Sequence, residues 1–266
     1  MYYRAWTSGR QVLRAEWTKL FTVSGPAWLL AALVALTVCV GATADAATRC
    51  PAGLTCTVDP VKLSLTGVQL GQALVAILAV LSVCNEYSTG MIHVTLTAMP
   101  HRHVVLAAKA SVVTGLVLVA GALAVVGSLV AGQVILPGHG FTVARGFPPL
   151  TLADGVVLRA AVGTVLYLGL MAVLSMGVAA MVRDSAASIG VVLGLLYLFP
   201  VIAAFIGNQV WHNRIERYMP MAGLNIQATT GLRALAIGPW SGLGVLALWA
   251  AVAMLAGGLV LRLRDA

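Results

Sequence analysis

The residues that could do chemistry are few, and their spacing fits none of the common nucleotide-binding or catalytic sites. A phosphate-binding loop needs a lysine directly after a glycine, so that backbone N–H groups and one cation meet the phosphates. The three lysines, Lys19, Lys62 and Lys109, instead follow threonine, valine and alanine. No glycine-rich dinucleotide fingerprint opens a helix after a predicted strand. We therefore expect that this chain does not hydrolyse ATP and is not an enzyme.

Histidines and acidic residues are also not arranged as a metal site or an acid–base pair. All five histidines lie outside the long apolar segments, and His101 and His103 flank Arg102 at a predicted helix end. The helix dipole favours cations at that position without any metal. No pair of carboxylates projects from an apolar segment, as an intramembrane metalloprotease or prenyl-diphosphate enzyme would require. We expect no metal and no cofactor in this chain.

The composition indicates that lipid covers most of the surface. Of the 266 residues, 60% are hydrophobic and 9% are charged, whereas about a quarter of an average soluble domain is charged. The formal net charge is +8. Basic residues confined to loops and ends favour anionic headgroups as their partner. No stretch alternates basic and aromatic residues as a nucleic-acid reader would, so we expect no nucleic-acid partner.

Six segments are long and apolar enough to cross a bilayer, for which a helix needs about 20 residues. None of them contains Asp, Glu, Lys, Arg or His, and Pro200 should kink the fifth. We therefore predict an all-α, polytopic protein with a six-span transmembrane domain over 25–266. The predicted spans are 26–44, 65–84, 110–135, 160–182, 186–207 and 241–261.

Uncharged spans bear on the energy source of any transport. Proton-coupled carriers and voltage sensors place acids, histidines or arginines within the membrane. Here the deepest polar side chains are Gln69, Gln72 and Gln133, for which hydrogen bonds between helices are a simpler explanation than a solute pathway. If the protein moves a solute uphill, a partner must supply the energy.

The distribution of Lys and Arg sets the predicted orientation. With six spans both termini share one side, and the segments on that side carry nine of the 16 basic residues over fewer positions than the opposite side. Positive residues are enriched on the cytoplasmic side of membrane proteins. We predict a multi-pass protein of the bacterial cell membrane with both termini in the cytoplasm.

Two segments on the predicted cytoplasmic side are neither spans nor plain linkers. Within a predicted N-terminal helix over 1–24, one arc carries Leu13, Trp17, Leu20 and Phe21, the pattern of a helix that lies in the headgroup plane; a solvated leader is the alternative. The other segment, 85–103, predicts a short helix that starts near Glu86 and is closed by Pro100. A carboxylate is favoured at such a start by the helix dipole.

Two features lie on the predicted outer side. The segment 208–240 is long for a structureless loop and is semi-apolar, so it either re-enters the membrane or covers the outer mouth as a lid. Cys50 and Cys56 stand in one loop, CPAGLTC, where an oxidising exterior permits a disulfide if the turn brings the Cα atoms within about 7 Å. Cys39 and Cys84 lie in spans, where we expect them to pack as inert thiols.

Over its whole length the chain resembles the permease subunits of type-2 ABC exporters, in particular the compact six-span kind common in actinobacteria. The resemblance rests on LRAEWTKL at 13–20, on NEYSTGMIHVTLTAMPHRH at 85–103 with VVLAAK after it, and on GPW to LRLRDA at 238–266. The middle motif is the most specific. The resemblance implies an N-terminal interfacial helix, a cytoplasmic coupling helix between the second and third spans, and a re-entrant extracellular segment before the sixth.

The resemblance also implies partners and a function. Two copies of a separate ABC ATPase, which binds ATP and Mg, would drive a permease dimer that exports an amphiphilic drug, peptide or lipid-like substrate, as in antibiotic resistance. The residues that it assigns to the ATPase contact are Glu86, Tyr87, Met91, Ile92 and Thr95. The alternative is a membrane sensor or immunity protein that binds an antimicrobial peptide without transport.

Overall fold

The computed structural model describes a helical bundle. It covers residues 18, 24–50, 58–88, 102–142, 147, 150–205, 214, 216–232, 235 and 237–264. Every regular element in these ranges is a helix, and six helical segments are long and apolar enough to cross a membrane. The predicted multi-pass, six-span organisation is thereby confirmed. The six segments are Ser24–Ala47, Val68–Asn85, Leu106–His139, Gly155–Val182, Ser185–Ile202 and Pro239–Val260.

We number the α-helices in chain order and name the remaining helical turns by their residues. The α-helices are α1 (Ser24–Ala47), α2 (Pro60–Ser64), α3 (Val68–Ser88), α4 (Arg102–Ile135), α5 (Gly155–Val182), α6 (Ser185–Leu193), α7 (Phe199–Phe205) and α8 (Pro239–Arg264). The described residues also form the 3-10 helices Leu136–His139 and Pro220–Gln227 and the π-helical turn Gly194–Leu198.

Helix α5 is the centre of the bundle. It packs against α3, α4, α6 and α8, and small residues along it allow close approach. A Cβ atom on Gly177 would lie 2.5 Å from the backbone carbon of Ala253 in α8. In contrast, α1 and the fifth span keep most of their apolar surface exposed. An apolar exterior on a bundle whose backbone bonds are internal is what a hydrocarbon solvent requires.

Hydrogen bonds between elements define the two ends of the bundle. At the end where α1 begins and α8 ends, which we call the terminal side, Arg183 donates from Nη2 to the Val260 carbonyl oxygen at 3.3 Å, and Cys84 lies 4.0 Å from the Ser188 hydroxyl. At the opposite end, which we call the far face, the Cys50 N–H donates to the His139 carbonyl at 2.9 Å. The spans therefore alternate in direction, as the sequence predicted.

Several helices extend beyond the predicted spans and carry ionisable residues at their ends. Asp45 lies in the last turn of α1, Lys109 in α4 and Arg159 in α5, and Asp45 and Lys109 are buried. These residues lie just outside the predicted span bounds, so the helices are longer than the uncharged segments that the sequence predicts. The predicted spans stop at the first charge, whereas a helix continues as long as each residue adds one backbone bond.

Glu86 also lies in an element other than the predicted one. Helix α3 runs without interruption from Val68 to Ser88, so Glu86 and Tyr87 lie in its last turn and not at the start of a new helix. The prediction that the dipole favours the Glu86 carboxylate is therefore wrong, because the C-terminal end of a helix carries partial negative charge. No helix-breaking residue stands between Cys84 and Ser88, which explains the continuation.

The fifth span is irregular near Pro200, as the sequence predicts. The α-helical pattern of α6 ends at Leu193, and a π-helical turn follows at Gly194–Leu198 before α7 begins. Pro200 has no N–H to donate to the carbonyl four residues earlier, and its ring crowds that carbonyl. A turn with wider hydrogen bonds relieves the crowding.

Candidate functional site

The first polar site of the far face is a buried carboxyl at the end of α1. Asp45 is fully buried, and its Oδ1 lies 3.1 Å from the Ser64 hydroxyl, which is also 3.1 Å from the Pro60 carbonyl oxygen. Oδ2 of Asp45 has no hydrogen-bond partner among the described residues. Buried polar atoms in proteins nearly always have partners, so this carboxyl has unused capacity to bind a proton or a donor.

Close helix packing fixes Asp45 in this position. Thr37, Gly41 and Asp45 recur every four residues and share one face of α1. A Cβ on Gly41 would overlap the Ser64 carbonyl oxygen, and a Cβ on Gly132 of α4 would overlap the Ser64 hydroxyl. The glycines let the backbones of α1, α2 and α4 approach until the Asp45 and Ser64 side chains fill the remaining space.

The second polar site joins two loops that are far apart in sequence. Asp59 caps α2 by accepting from the Val61 and Lys62 N–H groups, at 3.1 and 3.3 Å. The same carboxylate accepts from the Thr229 N–H at 2.5 Å, the Thr229 hydroxyl at 2.7 Å and the Thr230 N–H at 2.8 Å. We call this set the Asp59 clasp. It holds the loop before α8 against the start of α2.

These hydrogen bonds control the charge of Asp59. Burial alone would raise the pKa of the carboxyl, but the Thr229 hydroxyl and the N–H groups of Thr230, Thr229 and Lys62 stabilise the ionised form. The net effect is a pKa below the usual value for aspartate. Nearby, Arg159 donates from Nη2 to the Ala228 carbonyl at 2.6 Å, so a second bond anchors the same loop to α5.

Glutamines within the spans form bonds between elements. The Gln72 amide oxygen of α3 accepts from the Tyr167 hydroxyl at the centre of α5, and the backbone carbonyl oxygen of Gln69 accepts from the Tyr197 hydroxyl of the π-helical turn. Gln133 donates from Nε2 to the Leu150 carbonyl. The side-chain bonds of Gln72 and Gln133 support the interpretation that these two glutamines are structural. The Gln72 and Gln227 Nε2 atoms are buried and have no partner among the described residues.

A cavity of about 410 Å³ opens at the far face beside these polar sites. Two of its walls are Phe141 and Phe147, whose rings meet edge to face with centroids 5.0 Å apart. Its described lining consists of Pro60, Gly132, Gln133, Leu136, Pro137, Phe141, Thr142, Phe147, Leu150 and Thr151. The volume lies within the range of small-molecule sites.

Most of the residues predicted for sites lie outside the described part of the chain. This applies to the interfacial-helix residues Leu13, Trp17, Leu20 and Phe21 and to Met91, Ile92, Thr95 and Cys56. Glu86 and Tyr87 lie at the end of α3 on the terminal side of the bundle. The ATPase-contact and interfacial assignments stay predictions.

The described cysteines fall into two groups. Cys50 is buried and forms a disulfide, while its predicted pairing with Cys56 stays a prediction. Cys39 and Cys84 are free thiols, Cys39 exposed on α1 and Cys84 buried in α3. The prediction that Cys39 and Cys84 are packing residues therefore fits Cys84 better than Cys39, whose thiol is on the apolar exterior.

Sequence reasoning missed both aspartate sites. The pair Asp59–Pro60 does carry a local signal, because aspartate is a preferred N-cap and proline a preferred first helical residue; nothing local points to Thr229. Within the described ranges no three His, Cys, Asp or Glu residues are grouped to hold a metal ion. Neither a protein-family model nor a curated protein matches this chain.

Proposed function

We propose that this chain is the transmembrane permease subunit of an ATP-binding-cassette exporter that moves an amphiphilic substrate out of the cell. Two copies would enclose the pathway, and two separate ATPase subunits would supply the energy. The support comes from the resemblance of the sequence to type-2 ABC exporters, from the six apolar helices, and above all from the segment Pro220–Gln227. The terminal side of the bundle is the cytoplasmic side in this proposal.

The segment Pro220–Gln227 carries the proposal because the resemblance implies a re-entrant element before the sixth span. This 3-10 helix packs on α5 and α8, and most of its side chains are buried. A Cβ on Gly163 of α5 would overlap the Ile226 side chain, and one on Gly242 of α8 would overlap the Ala222 carbonyl oxygen. A loop that only connected two spans would not need glycines in both neighbouring helices to receive it.

In the proposed mechanism the partner ATPases supply the energy and this chain forms the transport pathway. Within the described ranges, no Asp, Glu, Lys, Arg or His lies near the centre of a span, which supports a partner as the source of energy. ATP with bound Mg would close the ATPases, and that closure would push on the segment after α3 and tilt the bundle outward. Such a switch requires that the ATPases bind the two conformations with different affinity.

The predicted ATPase contact follows directly on the end of α3. Because α3 continues to Ser88, a push on the residues beyond it would act on a helix that is hydrogen-bonded to α5 through Gln72 and Tyr167. This arrangement would transmit a displacement at the cytoplasmic surface to the central helix. Glu86, in the last turn, would present an anion to a basic surface of the ATPase.

The test uses the permease coexpressed with its ATPase. We expect Glu86→Ala or Met91→Asp to lower substrate-stimulated ATP turnover and copurification of the ATPase by about tenfold, the equivalent of about 1.4 kcal/mol of contact energy. The thermal stability of the permease should not change. Glu216→Ala removes an exposed acid from the segment before Pro220, outside the predicted ATPase contact, and serves as the matched control with full turnover. Full coupled turnover in both cytoplasmic variants would disprove the docking assignment.

A second candidate function is a membrane sensor or immunity protein that binds an antimicrobial peptide outside without transporting it. The cavity at the far face is the observation that favours it, because recognition would then depend on the outer side. The two functions differ in the partner that they require. Copurification of an ATPase supports the exporter, whereas peptide binding with no ATPase in the complex supports the sensor.

A further inference from the structure

The far-face cavity has the walls of a binding site for an apolar group. Side chains of Leu136, Phe141, Phe147 and Leu150 line it, and Pro60 and Pro137 complete the apolar surface. Leu136, Phe141 and Leu150 also belong to the buried core of the protein. A ligand that enters would therefore contact the rigid interior, and the apolar surface that it covers would be removed from water.

A few polar groups also face this space. Gln133 uses its Nε2 to bond the Leu150 carbonyl, which leaves its amide oxygen as an acceptor at the cavity. Thr142 and Thr151 add two hydroxyl groups to the lining. No described lining residue carries a charge. Apolar walls with a small number of placed hydrogen-bonding groups are typical of sites for small molecules.

Backbone hydrogen bonds fix the segment after α4 that carries Phe141 and Phe147. The Phe141 N–H donates to the Leu136 carbonyl at 3.2 Å and the Phe147 N–H to the Thr142 carbonyl at 3.3 Å. On the opposite side of the Leu136–His139 turn, the N–H of the disulfide-bonded Cys50 donates to His139. The cavity is therefore formed before any ligand arrives, which lowers the entropy cost of binding.

We propose that this cavity binds the uncharged part of a small amphipathic molecule, an aromatic ring or branched hydrocarbon that carries a hydroxyl or amide group. The ring would lie between Phe141, Phe147 and Leu150, and its polar group would bond the Gln133 amide or a threonine hydroxyl. Such a molecule could come from the membrane, as a lipid, or from solution. Neither the inference nor its test needs an ATPase, so it stands apart from the proposed export function.

The test is photolabelling of the purified permease in nanodiscs of phosphatidylethanolamine and phosphatidylglycerol. The probe is 4-[3-(trifluoromethyl)diazirin-3-yl]benzyl alcohol, a neutral aromatic alcohol, and labelled residues are located by peptide mass spectrometry. We expect saturable labelling within residues 132–151 that an excess of the unreactive 4-(trifluoromethyl)benzyl alcohol removes. Labelling that rises in proportion to probe concentration without saturation would overturn the proposal.

Two variants should fill the cavity without changing the outer surface of α4. Thr142→Trp places an indole at a half-buried lining position, and Thr151→Trp does the same from the exposed rim. Each should reduce the labelled fraction by about tenfold, which corresponds to about 1.4 kcal/mol. Val134→Trp is the control, because Val134 is 76% exposed and is next to Gln133 in sequence without lining the cavity. Undiminished labelling in a Thr151→Trp protein with an unchanged thermal unfolding midpoint would refute the site.

A second probe separates the two sources of the ligand. A phospholipid with a diazirine in its acyl chain is built into the nanodiscs in place of the soluble alcohol. Labelling of the same residues, with displacement by the unreactive alcohol, identifies membrane lipid as the occupant. Saturable labelling by the soluble alcohol alone identifies a ligand from solution. Failure of both probes to label residues 132–151 contradicts the proposal.

Discussion

Asp45 and Asp59 lie at the same end of the bundle, but their carboxyl groups differ in the number of hydrogen-bond donors around them. Asp59 accepts five hydrogen bonds, two from the first turn of its own helix and three from Thr229 and Thr230. For Asp45 one donor, the Ser64 hydroxyl, is in reach, and Oδ2 lacks a partner among the described residues. Asp59 is therefore a structural anion, whereas Asp45 keeps the capacity for another interaction.

At the residue scale, the sequence predicts local contacts of the two aspartates but not their long-range contacts. The helix-capping role of Asp59 follows from its position before Pro60, since both preferences act within one turn. Its bonds to Thr229 join residues 170 positions apart, and no spacing rule reaches that far. From the sequence alone, the charge of Asp45 predicts that this residue lies in an exposed loop after the first span. Its burial depends on Gly41 and Gly132, whose close approach is a tertiary property.

The Asp59 clasp should give the protein an acid-sensitive component of stability. Folding lowers the pKa of the Asp59 carboxyl. The hydrogen bonds to the ionised carboxylate therefore contribute their full stabilisation above about pH 4, the usual pKa of an unfolded aspartate. This stabilisation is lost as the pH falls through the pKa of the folded state. Asp59→Asn should lower the free energy of unfolding by about 2 kcal/mol at pH 7, since hydrogen bonds to charged groups contribute about that much. The difference from wild type should shrink below about pH 4.

Thermal unfolding in detergent across about pH 3–7 measures this effect, since that range spans the titration of an aspartate. Asp154→Asn is the matched control, because Asp154 also caps a helix, α5, and its side chain bonds only the nearby Val156 N–H in the described structure. Asparagine is a good N-cap as well, so the control should lose little stability. Equal losses in the two variants, or a loss in Asp59→Asn that does not depend on pH, would show that the contacts with Thr229 contribute nothing.

At the scale of elements, helix existence was predictable and helix ends were not. Each span is a run of apolar residues long enough for the bilayer, and that property is local. The position of a helix end depends also on contacts with neighbouring elements. Helix α1 continues to Ala47, where the Asp45 side chain bonds Ser64, and α3 continues past Cys84 to Ser88. The irregular fifth span was predictable because the effect of Pro200 on its own helix is local.

Helix packing at the far face should be sensitive to one added methyl group. A Cβ on Gly132 would lie 2.3 Å from the Ser64 hydroxyl oxygen, so Gly132→Ala should cost about 1–3 kcal/mol, as overpacking of a core does. A Cβ on Gly115 in the same helix would have open space around it, with nothing within 4 Å. Gly115→Ala should therefore be neutral or stabilise by about 0.5–1 kcal/mol through helix propensity.

A double-mutant cycle identifies the atom responsible. Ser64→Ala removes the hydroxyl that the new methyl group would overlap, so the combined variant Gly132→Ala with Ser64→Ala should be more stable than the sum of the single changes predicts. We expect a coupling of about 1 kcal/mol, within the range for residues in contact, from thermal unfolding in detergent. Additive losses would mean that Gly132→Ala acts through another neighbour.

At the scale of the whole molecule, the apolar exterior and the positions of charge together determine how the protein sits in a membrane. Large hydrophobic side chains are exposed on both peripheral spans, including Trp28 on α1 and Phe205 on α7. Lipid covers such surfaces, and in the proposed dimer a second copy would cover part of them. The order and number of spans could be read from the sequence. The loop contacts across the far face could not, because they depend on how all six helices assemble.

The orientation of the whole molecule is the last property that can be tested directly. The structure places Lys62 on the far face and Leu263 at the terminal end of α8, and both side chains are exposed. With both termini in the cytoplasm, Lys62→Cys in intact cells should react with a membrane-impermeant maleimide, and Leu263→Cys should react only after permeabilisation. The excess of Lys and Arg on the terminal side is the physical reason, because it opposes translocation of that side.

The native cysteines set the background of this experiment and supply its control. Cys50 is in a disulfide, for which Cys56 is the predicted partner, Cys84 is buried, and Cys39 faces the apolar exterior of α1. A membrane-impermeant maleimide stays in water and does not reach a thiol that faces hydrocarbon or the protein core. The wild-type protein should therefore stay unlabelled in intact cells. Labelling of Leu263→Cys from outside, with Lys62→Cys protected, would reverse the orientation and move the far-face cavity and the Asp59 clasp to the cytoplasmic side.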